Sequence, residues 1–201
     1  MKKEILAAIF LSVSSLLVAE NTLSPELTAK LQSNVFEVVV KKTEKDPLSY
    51  ERELPLDRLP FQERTDKYNS IGTAFLMDNG LFYTAAHVLQ LAEKSQQEEY
   101  FIRRTNEDPL PIDSIVKFSS NRDFVIFTVK GFQHTEGEGL RFQNKIDLNS
   151  TVFAVGNAQG EGVVIRNGLL TSQTFEDRDG AWKWLRFSAA ASPGNSALEP
   201  K

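Results

Sequence analysis

The chain has no cysteine at all, and that absence removes several possibilities. No disulfide can staple it, so its stability must come from packing even in an oxidising compartment. No thiolate is offered to a metal. Only two histidines occur in 201 residues; His87 and His134 lie far apart in the chain and outside any His-Glu-x-x-His spacing, so a metal centre has no donor set. A surplus of positive charge is also lacking. Lys and Arg total 23 against 27 Asp and Glu, a net charge of −4, and no basic stripe runs along the chain. Nucleic acid therefore has no footing, because phosphate binding needs clustered cations. Gly156, Gly160 and Gly162 do not follow the order of a dinucleotide-binding loop and read as a connection between strands. No internal repeat and no low-complexity segment is present.

Long apolar runs are scarce too. The one that occurs is Ile5 to Val18, interrupted only by Ser12, Ser14 and Ser15 and preceded by Lys2 and Lys3. It is short for a membrane-spanning helix, which needs about 20 apolar residues. With a small residue at Ala19 it reads as an export signal cut between Ala19 and Glu20, for which Leu17 is a less typical flank. An uncleaved anchor is the competing reading. With no cysteine behind the run, lipid attachment there is excluded. A secreted or periplasmic location follows, with no membrane contact beyond the signal.

What the chain does have is a composition that is 41% apolar, enough for a real core, and the punctuation of an all-β protein. Ser24-Pro25-Glu26 marks the start of one short helix ending near Ser33. Candidate strands follow at 34–41, 71–77, 81–84, 100–104, 112–118 and 124–129, enough for a small closed barrel. Asp78-Asn79-Gly80 joins the second and third as a hairpin in which Asn and Gly both accept positive φ. The segment 43–70 reads as a long charged surface loop. Three more strands, 151–155, 163–171 and 182–188, suggest part of a second barrel. Trp182 and Trp184 flank Lys183 in the last, so they share a face, read as core. The expected divisions are a signal over 1–19, a helical segment over 20–33, a first barrel over 34–131 and a partial second barrel over 132–201.

Three short segments carry chemistry. Thr84-Ala85-Ala86-His87-Val88 ends a strand with an imidazole beside small residues. Asn121-Arg122-Asp123-Phe124-Val125-Ile126 sets an acid at the mouth of an apolar strand. Ser192-Pro193-Gly194-Asn195-Ser196 is a tight turn that would present a hydroxyl beside free N–H groups. Taken singly, each has an ordinary reading: a core histidine, a turn aspartate, a plain turn. Their order, His then Asp then Ser, is that of the chymotrypsin-type arrangement.

On these segments, together with Gly72-Thr73-Ala74-Phe75, Ala154-Val155-Gly156-Asn157 and Ala189-Ala190-Ala191, the chain resembles the trypsin-like serine proteases, most closely the cysteine-free Deg/HtrA group of bacterial envelope proteases. The resemblance covers roughly 34–196. It implies a double β-barrel and an endopeptidase acting on polypeptides. Ser196 would be the nucleophile, His87 the general base and then acid, and Asp123 the residue that orients the imidazole. The backbone N–H groups of Gly194 and Ser196 would form the oxyanion hole. No metal or organic cofactor is required. The family follows its serine with two glycines, whereas here Ala197 to Lys201 follow. That departure predicts a chain truncated within the second barrel, with low or no activity as written. Two rivals remain open: an inactive relative that binds peptides by strand addition, and an esterase using the same nucleophile. The oligomeric state is left open.

Overall fold

The computed structural model describes residues 22–42, 51–52, 55, 58, 65–90, 99–143, 145–157, 162–177 and 182–190. The export signal, most of the charged segment after Thr43, and the Ser192 to Ser196 turn lie outside the described residues.

Ser24 caps helix α1 (Pro25–Asn34) by accepting the Leu27 N–H at 3.2 Å, with Pro25 and Glu26 in the first turn. The chain turns extended at Val35 and enters β1 (Val35–Lys41). Strands β2 (Tyr68–Leu76), β3 (Phe82–Thr84), β4 (Tyr100–Arg103), β5 (Leu110–Ser119) and β6 (Phe124–Val129) follow. They close into a six-stranded antiparallel barrel in the order β1-β2-β3-β6-β5-β4, with β4 returning to β1. The loop expected to reach Ser70 ends earlier, because Lys41 pairs with Tyr68 and draws that end into β2. The β2–β3 hairpin also differs in detail. Only Gly80 takes positive φ, at 75°, while Gly80 N–H donates to Met77 O at 2.9 Å and Met77 N–H to Leu81 O at 3.0 Å. This is the three-residue loop with a left-handed glycine, so Asn79 needs no strained backbone.

The barrel core is aromatic. Phe36 and Phe127 both pack on Phe82, edge-on at 5.1 Å and stacked at 5.7 Å, and Phe132 closes on the same ring at 4.9 Å. Strand β6 alternates cleanly: Val125, Phe127 and Val129 point inward. Strand β5 does not. Two bulges shift its register, and Ile115, Val116 and Phe118 are exposed. Between the inward Phe36 and Val38, Glu37 faces the other way and is still buried. Arg103 Nε reaches it at 2.7 Å and also grips Asp66, with Nη2 at 2.5 Å. The Arg103 hydrogen bond holds the Asp66 carboxyl below its ordinary value against the opposing effect of burial, helped by the Tyr68 N–H. The Asp66 bond in turn holds the Arg103 guanidinium above its own.

Beyond the barrel, β7 (Thr151–Gly156), β8 (Val164–Phe175) and β9 (Lys183–Phe187) form a three-stranded antiparallel sheet in chain order. The all-β architecture is thus one closed barrel and one partial sheet. Phe75, Tyr83 and Ile126 on the outside of the barrel line a groove of about 750 Å3 together with Val152, Leu170 and Trp184 of the sheet. A hydrogen bond joins the two: buried Asn157, just after β7, donates its N–H to Thr73 Oγ1 at 2.9 Å. Thr84 Oγ1 donates to the Thr73 carbonyl at 2.7 Å.

Candidate active site

His87 stands on a run of turns directly after β3. Val88 N–H donates to Ala85 O, and Gln90 N–H to His87 O, both at 3.2 Å. The neighbours Ala85, Ala86, Val88 and Leu89 are all drawn into the core. That pull leaves His87 as the residue turned outward, its side chain 46% exposed. Gly72 of β2 makes room for the turn: a Cβ there would come within 2.7 Å of both Val88 γ-carbons.

Asp123 is the last residue before β6. Its φ of 52° lies in the left-handed region, which Asp tolerates better than most side chains. That twist aims the carboxylate at His87, and the contact is double. Oδ2 lies 2.6 Å from His87 Nδ1, while Oδ1 accepts the His87 backbone N–H at 2.9 Å. An ionised carboxylate can only accept, so Nδ1 carries the proton, and in the neutral ring the lone pair then lies on Nε2. Such an imidazole can take a proton at Nε2, and the Asp123 charge steadies the cation that forms.

Two of the predicted site residues are therefore brought together. The other two, Gly194 and Ser196, lie outside the described residues. The lead towards them is described as far as Ala190. Ser188 N–H donates to Leu169 O at 3.0 Å and Ser188 Oγ accepts from Leu169 N–H at 2.9 Å. Arg166 donates to Ala190 O at 3.4 Å. His134 lies apart from the site, its Nε2 3.2 Å from Glu138 O.

Several residues that shape the site escaped the reading of motifs. Gly168, in the middle of β8, has Ala189 against it so tightly that a Cβ would sit 2.1 Å from the Ala189 nitrogen. A glycine inside a strand is the signal of such an approach. Thr73, in the Gly72-Thr73-Ala74-Phe75 segment, takes its part through the bond from Asn157. Trp182 and Trp184 do both line the groove, and so do Lys183 and Leu185. The two tryptophans are not core, being 50% and 37% exposed, because they line the groove between sheet and barrel and do not fill it.

The profile of the trypsin-like peptidase domain matches residues 72–197, a span holding His87, Asp123 and Ser196. The chain belongs to the trypsin-like peptidase family. The fold of this peptidase domain is similar to that of the HtrA-type protease AlgW solved with a decapeptide, with a TM-score of 0.57 and 18% identity over 85% of this chain and 54% of that one. It is also similar to the active form of the Rv3671c protease from M. tuberculosis, with a TM-score of 0.53 and 14% identity over 87% and 70% of the two chains. At such identities the likeness is one of fold. The chain spans about half the length of the AlgW chain, at 54%. No curated protein sequence matches it.

Proposed function

We propose that the chain is a serine endopeptidase in which Ser196, His87 and Asp123 act as a triad on polypeptide substrates. The observation that carries this reading is the double hold of Asp123 on His87, which engages Nδ1 and leaves the base role to Nε2 of the neutral ring. Ser196 Oγ attacks the peptide carbonyl as His87 Nε2 takes its proton. The tetrahedral oxyanion is met by the N–H groups of Gly194 and Ser196, each worth about 10² to 10³ in rate. His87 then delivers the proton to the leaving amine, and water repeats the sequence on the acyl-enzyme. A fluorophosphonate that marks activated serines tests this directly by intact mass. An adduct on the 20–201 chain, lost in Ser196→Ala and in His87→Ala, supports the triad. No adduct on a folded chain sinks it.

The same proposal has the protein exported, residues 1–19 serving as the signal. Among the described residues no helix is long and apolar enough to cross a membrane. N-terminal sequencing of the protein recovered from expressing bacteria should start at Glu20; an intact Met1 would make the segment an anchor. One observation favours a second reading, a peptide-binding relative. All five residues of β9 are exposed at the edge of the sheet beside the groove, an edge that an extended peptide could extend. Peptide binding without an adduct would select it.

A further inference from the structure

Arg122 immediately precedes Asp123 and has no part in the chemistry above. Its side chain leaves the barrel and crosses to the sheet. There it forms an ion pair with Glu176, just past the end of β8. Its guanidinium also lies over the ring of Trp182, just ahead of β9, at 4.5 Å. Both charged side chains are mostly withdrawn from water, at 24% and 20% exposure, so solvent ions screen the attraction little. A planar guanidinium can pair in its plane and stack on an indole through its face at the same time, which an ammonium cannot.

The turn that holds Asp123 needs such support. Arg122 N–H donates back to Ser119 Oγ at the end of β5, at 3.2 Å, and Asp123 itself sits in the left-handed region. A strained residue persists when its surroundings over-determine it. Strands β8 and β9 also lead, through Ser188 and Ala190, towards Ser196. The acid–base pair therefore rides on the barrel, while the nucleophile follows from the sheet. The Thr73–Asn157 hydrogen bond is one tie between them, and Arg122 supplies another at the acid itself.

We infer that Arg122 is a positioning residue: with Glu176 and Trp182 it clamps the Asp123 turn to the β8–β9 hairpin and so sets the His87–Asp123 pair relative to the strand that leads to Ser196. The effect on rate rests on the endopeptidase reading; the effect on His87 does not.

The test uses the whole chain and two readouts. One is the rate of fluorophosphonate addition to Ser196. The other is the downfield proton resonance of the His87 Nδ1–H, assigned with His134→Gln since His134 is the other histidine of the chain. Arg122→Ala should slow addition by about tenfold to a hundredfold, the scale of a small misplacement, and weaken or abolish the Nδ1–H signal. Arg122→Glu should be at least as severe. Pairing it with Glu176→Arg should restore both readouts, whereas Arg122→Lys should restore them only in part. An Arg122→Ala chain with the unaltered rate and resonance overturns the inference, as does a charge-swapped pair no better than Arg122→Glu alone. If the parent chain takes no adduct but its His87 resonance is present and vanishes in Arg122→Ala, the clamp stands and the endopeptidase reading fails.

Discussion

Asp123 accepts from His87 twice, once from the ring and once from the main chain, and the two bonds have separable consequences. Asp123→Asn can keep the main-chain bond through its amide oxygen but offers an NH2 where Nδ1 needs an acceptor. The imidazole then favours the wrong tautomer. The expected outcome is a loss of about 10⁴ in acylation rate with little change in melting temperature, read by reagent labelling and thermal denaturation. A second prediction concerns Asp66, whose carboxyl Arg103 holds below its ordinary value. Its contribution to stability is present above the unfolded carboxyl value of about 3.9. It is lost as pH falls through the lower folded value. Melting temperature should therefore drop through that acid window, and Asp66→Asn should flatten the drop. At this scale His87 and Asp123 were legible because each sits in a short contiguous motif. Arg122, Glu176 and Trp182 were not, since their meeting depends on how barrel and sheet face each other. Glu37 was equally hidden: a charge in an apolar strand reads as solvent-facing, and among the described residues it is Arg103 that pairs with it in its buried place.

Strands reveal themselves by what flanks them, and their ends are where tertiary pairing intervenes. Strand β6 was read at its observed limits because Asp123 and Gly131 punctuate an alternating apolar run. Strand β8 runs on to Phe175, past the expected Thr171, since Gln173, Thr174 and Phe175 gain partners in Leu185, Trp184 and Lys183. Polar residues there hide a strand that its neighbour creates. Within the same strand, Gly168 lies against the backbone of Ala189, on the path to Ser196. Gly168→Ala should force the 188–190 segment outward. The expected cost is about 1 to 3 kcal/mol of stability, typical of overpacking, with a clear loss of Ser196 labelling. Gly131→Ala, where a Cβ would meet nothing within 4 Å but φ is 78°, separates the two causes. It should lower stability through backbone strain alone and leave labelling unchanged.

For the molecule as a whole, the barrel holds the aromatic core and the His87–Asp123 pair, and the sheet leans on it through Thr73, the groove and Arg122. Phe82 touches Phe36, Phe127 and Phe132 at once, so Phe82→Ala should cost about 3 to 5 kcal/mol. Denaturant unfolding, followed at the His87 resonance, should show the site melting with the core; a site that survives would detach it from the barrel. The barrel's strand order has a further result for the newly made chain. Strand β6 comes last of the six, yet it lies between β3 and β5. Closure also requires Glu37 to find Arg103, 66 positions away. Pairings so distant along the chain form slowly. Until Val129 has been added to the growing chain, five strands with apolar faces lack the partner that closes them, and such surface is prone to aggregation.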